Sequence, residues 1–329
     1  MILQKMFFES SKLLSGWRHW RCLAVWTASL GAIAVALVGG GPRTLAGQPA
    51  TRRVVVATTT VVADLVRQVG GERITVDSLM GPGIDPHSYK ATPRDTDRLS
   101  RADLVVASGL HLEGKLSDIL SRLGKRVPMV AVADALPRES LLSVAENLYD
   151  PHVWFDAKLW SQCPAVVAQA LAAIDPAGRE QYEANANAYR RSLELLDGRL
   201  RDRIATIPQQ QRVLVTAHDA FRYFGRAYGI EVVGVQGTST ESEAGLNDIN
   251  RLVELLVVKK IPAVFVETSV SDRNMTALRE GASARGHAVT LGGRLYSDSL
   301  GGPDSDAATL EQALVANVET IVAGLSGGR

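Results

Sequence analysis

Cysteine is almost missing from this chain. Its 329 residues include two, Cys22 and Cys163. Cys22 lies in an export-like leader, so the folded part keeps only Cys163. One thiol forms no internal disulfide. It also excludes zinc sites of four cysteines, or of two cysteines with two histidines. Any metal site must come from histidine and carboxylates. Excess charge is missing as well: the formal net charge is +1, and no Lys/Arg block stands in the body of the chain. Nucleic-acid binders concentrate basic surface, so no nucleic-acid partner is expected. There is no HExxH pair, which removes a common signature of zinc hydrolases. Tandem repeats and low-complexity tracts are absent too.

What is present begins with the leader. Lys5, Lys12, Arg18, His19 and Arg21 form a basic opening, and an apolar run from Cys22 to about Val38 follows. Thr44-Leu45-Ala46 then offers small residues suited to signal-peptidase cleavage after Ala46. Residues 1–46 are therefore expected to be a signal peptide. If it stays uncleaved, the run, near the lower limit of about 17–25 residues for a span, is a membrane tether. Cys22 stands at the start of the apolar run rather than after it, which is not the place of a lipoprotein attachment cysteine. The rest is expected to be exported, periplasmic or on the cell surface.

The remainder alternates strand-like and helix-like segments, and 46% apolar residues give ample core. Arg53–Thr59, Ile74–Leu79, Leu104–Ala107 and Val127–Val132 read as strands. Val61–Val69, Pro93–Ser100 and Leu116–Leu123 read as helices. From Asp175-Pro176 onward, Tyr182, Ala186, Tyr189, Leu193, Leu196, Leu200, Ile204 and Ile207 recur every three or four residues. That spacing predicts one helix of about 30 residues, against a mean of about 11–12. The strand–helix rhythm then resumes. Strands are expected over Arg212–Thr216, Glu231–Val235, Ala263–Glu267 and Ala288–Leu291, and helices over Ala220–Tyr228, Leu246–Lys259, Asn274–Arg285 and Leu310–Leu325. The expected fold is α/β: two lobes, each a mainly parallel sheet flanked by helices, joined by one long rigid helix. The expected division is 51–172 for the N-terminal lobe, 173–208 for the linking helix and 209–329 for the C-terminal lobe.

Three histidines sit where a strand or loop ends before a helix. They are His87 in Asp85-Pro86-His87, His152 in Asp150-Pro151-His152 and His218 in Ala217-His218-Asp219. Ligands of open α/β sheets gather beyond strand carboxyl ends. A turn needs Asp-Pro but not the histidine that follows it twice here. A neutral imidazole binds metal through one nitrogen while a neighbour fixes the other, and Asp85, Asp150 and Asp219 are candidates for that role. His111 reads as a surface residue or a cleft neighbour, and His287 as a turn residue. Trp154, Phe155, Phe221, Tyr223 and Phe224 read as core packing. Glu241 and Glu243 fall in a solvated Ser/Thr/Glu loop.

Four ordered segments carry a family resemblance. They are Asp85-Pro86-His87-Ser88-Tyr89, Asp150-Pro151-His152-Val153-Trp154-Phe155-Asp156, His218-Asp219-Ala220-Phe221 and Leu295-Tyr296-Ser297-Asp298-Ser299-Leu300-Gly301. Together with the long helix, Gly234–Gly237 and Phe265–Ser269, they resemble the zinc/manganese ABC-transporter solute-binding proteins over roughly residues 53–325. The resemblance implies metal ligands His87, His152, His218 and Asp298. It implies one ion per chain as cargo, an ABC membrane permease as partner, a monomer, and no catalysis. Three imidazoles and a carboxylate suit zinc first and manganese second. The His-rich loop of many zinc members is absent between His87 and His152, where only His111 occurs. Two alternatives stay open: a zinc hydrolase, if Asp298 leaves a position free for water, and a surface adhesin on the same scaffold.

Overall fold

A computed structural model of the chain describes residues 52–326; the expected signal peptide lies outside the described residues. The first half runs β1 (Arg53–Ala57), α1 (Thr60–Gly70), β2 (Ile74–Ser78), α2 (Pro93–Ser100), β3 (Leu104–Ala107), α3 (Ser117–Leu123) and β4 (Met129–Ala131). A short hairpin, β5 (Ser143–Ala145) and β6 (Leu148–Tyr149), leads to α4 (Ala157–Trp160) and α5 (Cys163–Ile174). The long helix α6 (Arg179–Ala205) follows. The second half is β7 (Val213–His218), α7 (Arg222–Tyr228), β8 (Glu231–Gln236), α8 (Leu246–Val258), β9 (Ala263–Glu267), α9 (Arg273–Ala284), β10 (Thr290–Leu295) and α10 (Leu310–Leu325). No helix among the described residues is long and apolar enough to cross a membrane.

Each half forms a four-stranded sheet, in the orders β2-β1-β3-β4 and β10-β9-β7-β8. Every pairing in both sheets is parallel. Successive side chains of a strand face opposite ways, and the cores follow that period. In β1, Val55 and Ala57 join one core while Val56 joins another with Leu99, Leu116 and Leu120 from the α2–α3 side. In β7, Leu214 joins the first core while Val213 and Val215 pack with Leu252, Met275 and Leu278 of α8 and α9. The first core therefore lies between the sheets and receives α1, α5, α6, α7 and α10.

Helix ends follow local chemistry. Thr92 and Asp95 form a reciprocal capping box behind Pro93 at the start of α2, and Thr309 with Gln312 does the same for α10. Gly229 ends α7 in the left-handed region at φ 70°.

The long helix has 27 residues, preceded by a separate 3-10 turn at Pro176–Gly178. Tyr182, Ala186, Tyr189, Leu193, Leu196, Leu200 and Ile204 form its buried stripe. That stripe sits inside the shared core and packs on α1, α5 and α10. Several elements depart from the sequence expectation, which named no β5–β6 hairpin and no α4. Helix α5 was not anticipated, because Cys163–Ile174 is nearly all apolar and shows no polar face. Strand β10 continues through Gly292-Gly293, where the expectation stopped at Leu291. A Cβ on Gly292 would stand 2.6 Å from the Phe265 ring, so glycine is what lets β10 lie against β9 there.

Candidate metal centre

His218 is the last residue of β7, a strand buried along its whole length. Its neighbour across the sheet, β9, ends at Glu267. These two strands flank the point where the second sheet reverses its order, the usual ligand position in such sheets. The His218 backbone N–H donates to Glu267 Oε1 at 2.9 Å. Its ring Nδ1 lies in ion-pair contact with Glu267 Oε2 at 2.6 Å, leaving Nε2 to face the site. Gly234 of β8 allows the chain beyond His218 to pass closely, since a Cβ there would meet the Asp219 backbone nitrogen at 2.4 Å.

His152 caps a 3-10 turn at Val153–Phe155. Asp150 Oδ1 accepts the His152 backbone N–H at 3.0 Å and pairs with ring Nδ1 at 2.7 Å. Asp150 is anchored in turn: its carbonyl accepts from the Tyr223 hydroxyl at 3.0 Å. The Trp154 indole meets the His152 ring edge-on at 5.3 Å and donates to the Ser297 carbonyl at 3.2 Å.

Asp298 lies three residues beyond β10, on a loop fixed at several points. Asn317 of α10 bonds both the N–H and the carbonyl of Tyr296 at 2.8 Å. The Leu300 N–H donates to Thr60 Oγ1 at 2.8 Å. His87 follows Pro86 in the β2–α2 connection, and its backbone N–H donates to Asp85 Oδ1 at 2.9 Å.

The four side chains converge. One ligand atom from each of His87, His152, His218 and Asp298 lies within 4.8 Å of all the others, and all four residues are buried. His152 Nε2 is 3.3 Å from His87 Nε2 and 3.4 Å from His218 Nε2. Asp298 Oδ1 is 3.3 Å from His152 Nε2, and Oδ2 is 3.3 Å from His218 Nε2. A tetrahedron with metal–ligand bonds of about 2.0 Å has edges of about 3.3 Å. The Asp298 Oδ2–His87 Nε2 edge is longer, at 4.0 Å. Asp298 Oδ1 is fully buried and faces His152 Nε2 at 3.3 Å, which fits a carboxylate oxygen turned toward a cation.

The charges balance inside this pocket. Burial disfavours charge on His152, but the Asp150 and Asp298 carboxylates outweigh it and push the imidazole up to about 9. Burial likewise opposes charge on His218, and Glu267 with Asp298 raises it well above its usual value. Burial pushes His87 down to about 4, with no carboxylate on its far nitrogen to offset that. Burial favours a neutral Asp298, yet His218 and His152 hold it well below the ordinary carboxylate range.

Of the three aspartates considered as ring partners, only Asp150 reaches a ring. Asp85 binds the His87 backbone instead, and Asp219 pairs with Arg222 at 3.7 Å. The partner of His218 is Glu267, 49 positions away. Its sequence signals were its place in the Phe265–Ser269 segment of the resemblance and a carboxylate closing the apolar strand Ala263–Val266. His111 is exposed in the turn after β3, and His287 Nε2 bonds the Ile261 carbonyl at 2.8 Å. Cys163 is free and buried, its thiol raised by burial. Trp154, Phe155, Phe221, Tyr223 and Phe224 are fully buried around the pocket.

Comparison with known proteins matches this arrangement. The family described as zinc-uptake complex component A, periplasmic, covers residues 55–324. The manganese-binding lipoprotein MntA of Bacillus subtilis is 45% identical over 292 residues, 88% of this chain and 95% of that protein. The zinc-binding protein TroA of Treponema pallidum is 42% identical over 272 residues, 83% of this chain and 88% of that protein. The solved structure of the periplasmic zinc-binding protein TroA from Treponema pallidum aligns with a TM-score of 0.82 and 41% identity, covering 84% of this chain and 99% of that one. The matched residues carry both sheets and all four converging side chains, and the chain belongs to the zinc-uptake complex component A family.

Proposed function

We propose that this protein captures one divalent transition-metal ion outside the cytoplasmic membrane and presents it to the permease of an ABC importer. The convergence of His87, His152, His218 and Asp298 within 4.8 Å carries this reading. Each comes from a separate segment of the chain, two from each half, so a bound ion joins the halves. In this reading residues 51–172 and 209–329 act as two lobes on the stiff segment 173–208. The protein works as an exported monomer without a nucleic-acid partner. The relatives' names support capture: one is a manganese-binding lipoprotein and one a zinc-binding protein.

Three imidazole nitrogens and an aspartate, with edges near 3.3 Å, suit zinc, which also outcompetes manganese at nitrogen sites. Manganese is the second reading. Asp298 turns both oxygens toward the histidines, one at 3.3 Å from His152 and one at 3.3 Å from His218, and a second oxygen ligand favours the harder ion. Four protein donors fill a tetrahedral shell and leave no position for a catalytic water, so the site holds and releases rather than hydrolyses.

Elemental analysis of the purified protein tests this directly. One equivalent of zinc or manganese is expected in the wild type, with little retained by Asp298→Ala or His218→Ala. No metal after reloading would overturn the proposal, and metal retained without Asp298, together with hydrolytic activity, would turn it toward an enzyme.

A further inference from the structure

His87 is the least supported member of the tetrad. His152 has Asp150 on its far ring nitrogen, and His218 has Glu267. His87 has no such carboxylate, and it sits on a connection between β2 and α2 rather than at a strand end. Its placement depends on Asp85, which closes the turn. Asp85 Oδ1 accepts the His87 N–H at 2.9 Å, and Oδ2 accepts the Ser88 hydroxyl at 2.7 Å.

Asp85 also has a partner from the other half of the molecule. The Thr240 hydroxyl donates to Asp85 Oδ2 at 2.7 Å, across 155 positions of sequence. Thr240 lies in the loop between β8 and α8. That loop leaves β8 at Gln236, which pairs in register with His218, and Gln236 Nε2 braces it by donating to the Ser242 carbonyl at 3.1 Å. The loop thus starts beside one ligand and ends against the turn that carries another. A second tie runs the same way: the Gly83 N–H donates to Ser299 Oγ, next to Asp298, at 2.9 Å.

We infer that Thr240 is a positioning residue, clamping Asp85 and through it His87, so that this hydrogen bond helps set how long the ion stays bound. The inference rests on the reading of His87 as a ligand. A hydrogen bond to a carboxylate is one of the stronger kinds, and its loss leaves Asp85 Oδ2 with only the exposed Ser88 hydroxyl. Thr240 touches no ligand atom, so the variant keeps all four donors. It therefore alters the departure of the ion more than the number bound.

The test is stopped-flow release of zinc, and separately of manganese, into excess chelator. It compares full-length wild type, Thr240→Val, Thr240→Ser and Thr240→Ala. The two variants lacking the hydroxyl are expected to release metal about tenfold faster, the size of one hydrogen bond to a charged group. Thr240→Ser is expected to match wild type, with one ion bound per chain in every variant. Wild-type release rates in both variants lacking the hydroxyl, or faster release that serine does not restore, would overturn the inference while leaving metal capture intact. A wild type that takes up neither metal would overturn both.

Discussion

The first sheet runs β2-β1-β3-β4 and the second β8-β7-β9-β10, the same path traced twice, but the strand ends at their centres hold different chemistry. In the second sheet, β7 and β9 end in His218 and Glu267, an imidazole held by a carboxylate. In the first, β1 and β3 lead into Thr58 and Ser108. There the buried Glu113 accepts the Thr58 hydroxyl at 2.6 Å and the Ser108 N–H at 2.7 Å. One centre offers a ligand; the other is closed by a hydroxyl–carboxylate knot, with burial raising the Glu113 carboxyl. The first half therefore supplies His87 and His152 from loops. A ligand on a strand end inherits the rigidity of the ladder, whereas a ligand on a loop needs side chains to hold it.

Removing the supports one at a time measures that difference. Asp150→Asn takes away the aligned partner of a loop histidine and is expected to weaken metal affinity by about a hundredfold. Glu267→Gln leaves His218 fixed by its strand and is expected to cost about tenfold, both within the usual range for groups behind a ligand. Chelator competition gives both values, and equal losses would erase the distinction between loop and strand. Titration sharpens it further. His152, up at about 9, and His218, also raised, carry protons at neutral pH that an ion must displace, while His87, down at about 4, carries none. Affinity should therefore climb as pH rises from 6 toward 8, by about tenfold per unit for each proton displaced, and fall on acidification. Calorimetry in buffers of different ionisation enthalpy counts the protons, and a count of zero would mean that both imidazoles are already neutral. The smallest effect is expected at the rim, where Glu241 meets Lys115 at 3.3 Å with both side chains well exposed. Glu241→Gln should change metal release less than about threefold, since exposed ion pairs contribute at most about 1 kcal/mol. A larger change would shift the clamp from Thr240 to its neighbour.

Much of this architecture was legible in the chain. The strand–helix rhythm placed α2, β3, β9 and α10 at their observed limits, because their ends carry caps or abrupt changes of polarity. Helix α5 was hidden by its even apolarity, and β10 by Gly292 and Gly293, which are crowded by the Phe265 ring of another strand and by Thr320 of α10. The histidines could be singled out from the repeated Asp-Pro-His and from their positions at element ends. Asp298 carried no such local mark and came only with the family resemblance. Glu267 and Thr240 act on residues 49 and 155 positions away, and no local pattern encodes a contact at that range.

The indole of Trp154 gives the pocket an optical property. Among the described residues it shares the chain with one other tryptophan, Trp160. Its ring edge lies against His152 and its N–H against the loop of Asp298, so its excited state samples two of the four converging residues. A protonated imidazole drains indole emission and a neutral one does not. Displacing that proton with zinc, a closed-shell d10 ion, is expected to brighten the protein. Manganese has unpaired electrons and opens a competing route to darkness. The side chain that packs the wall of the pocket is thus expected to report, in emitted light, both that an ion has arrived and which kind it is.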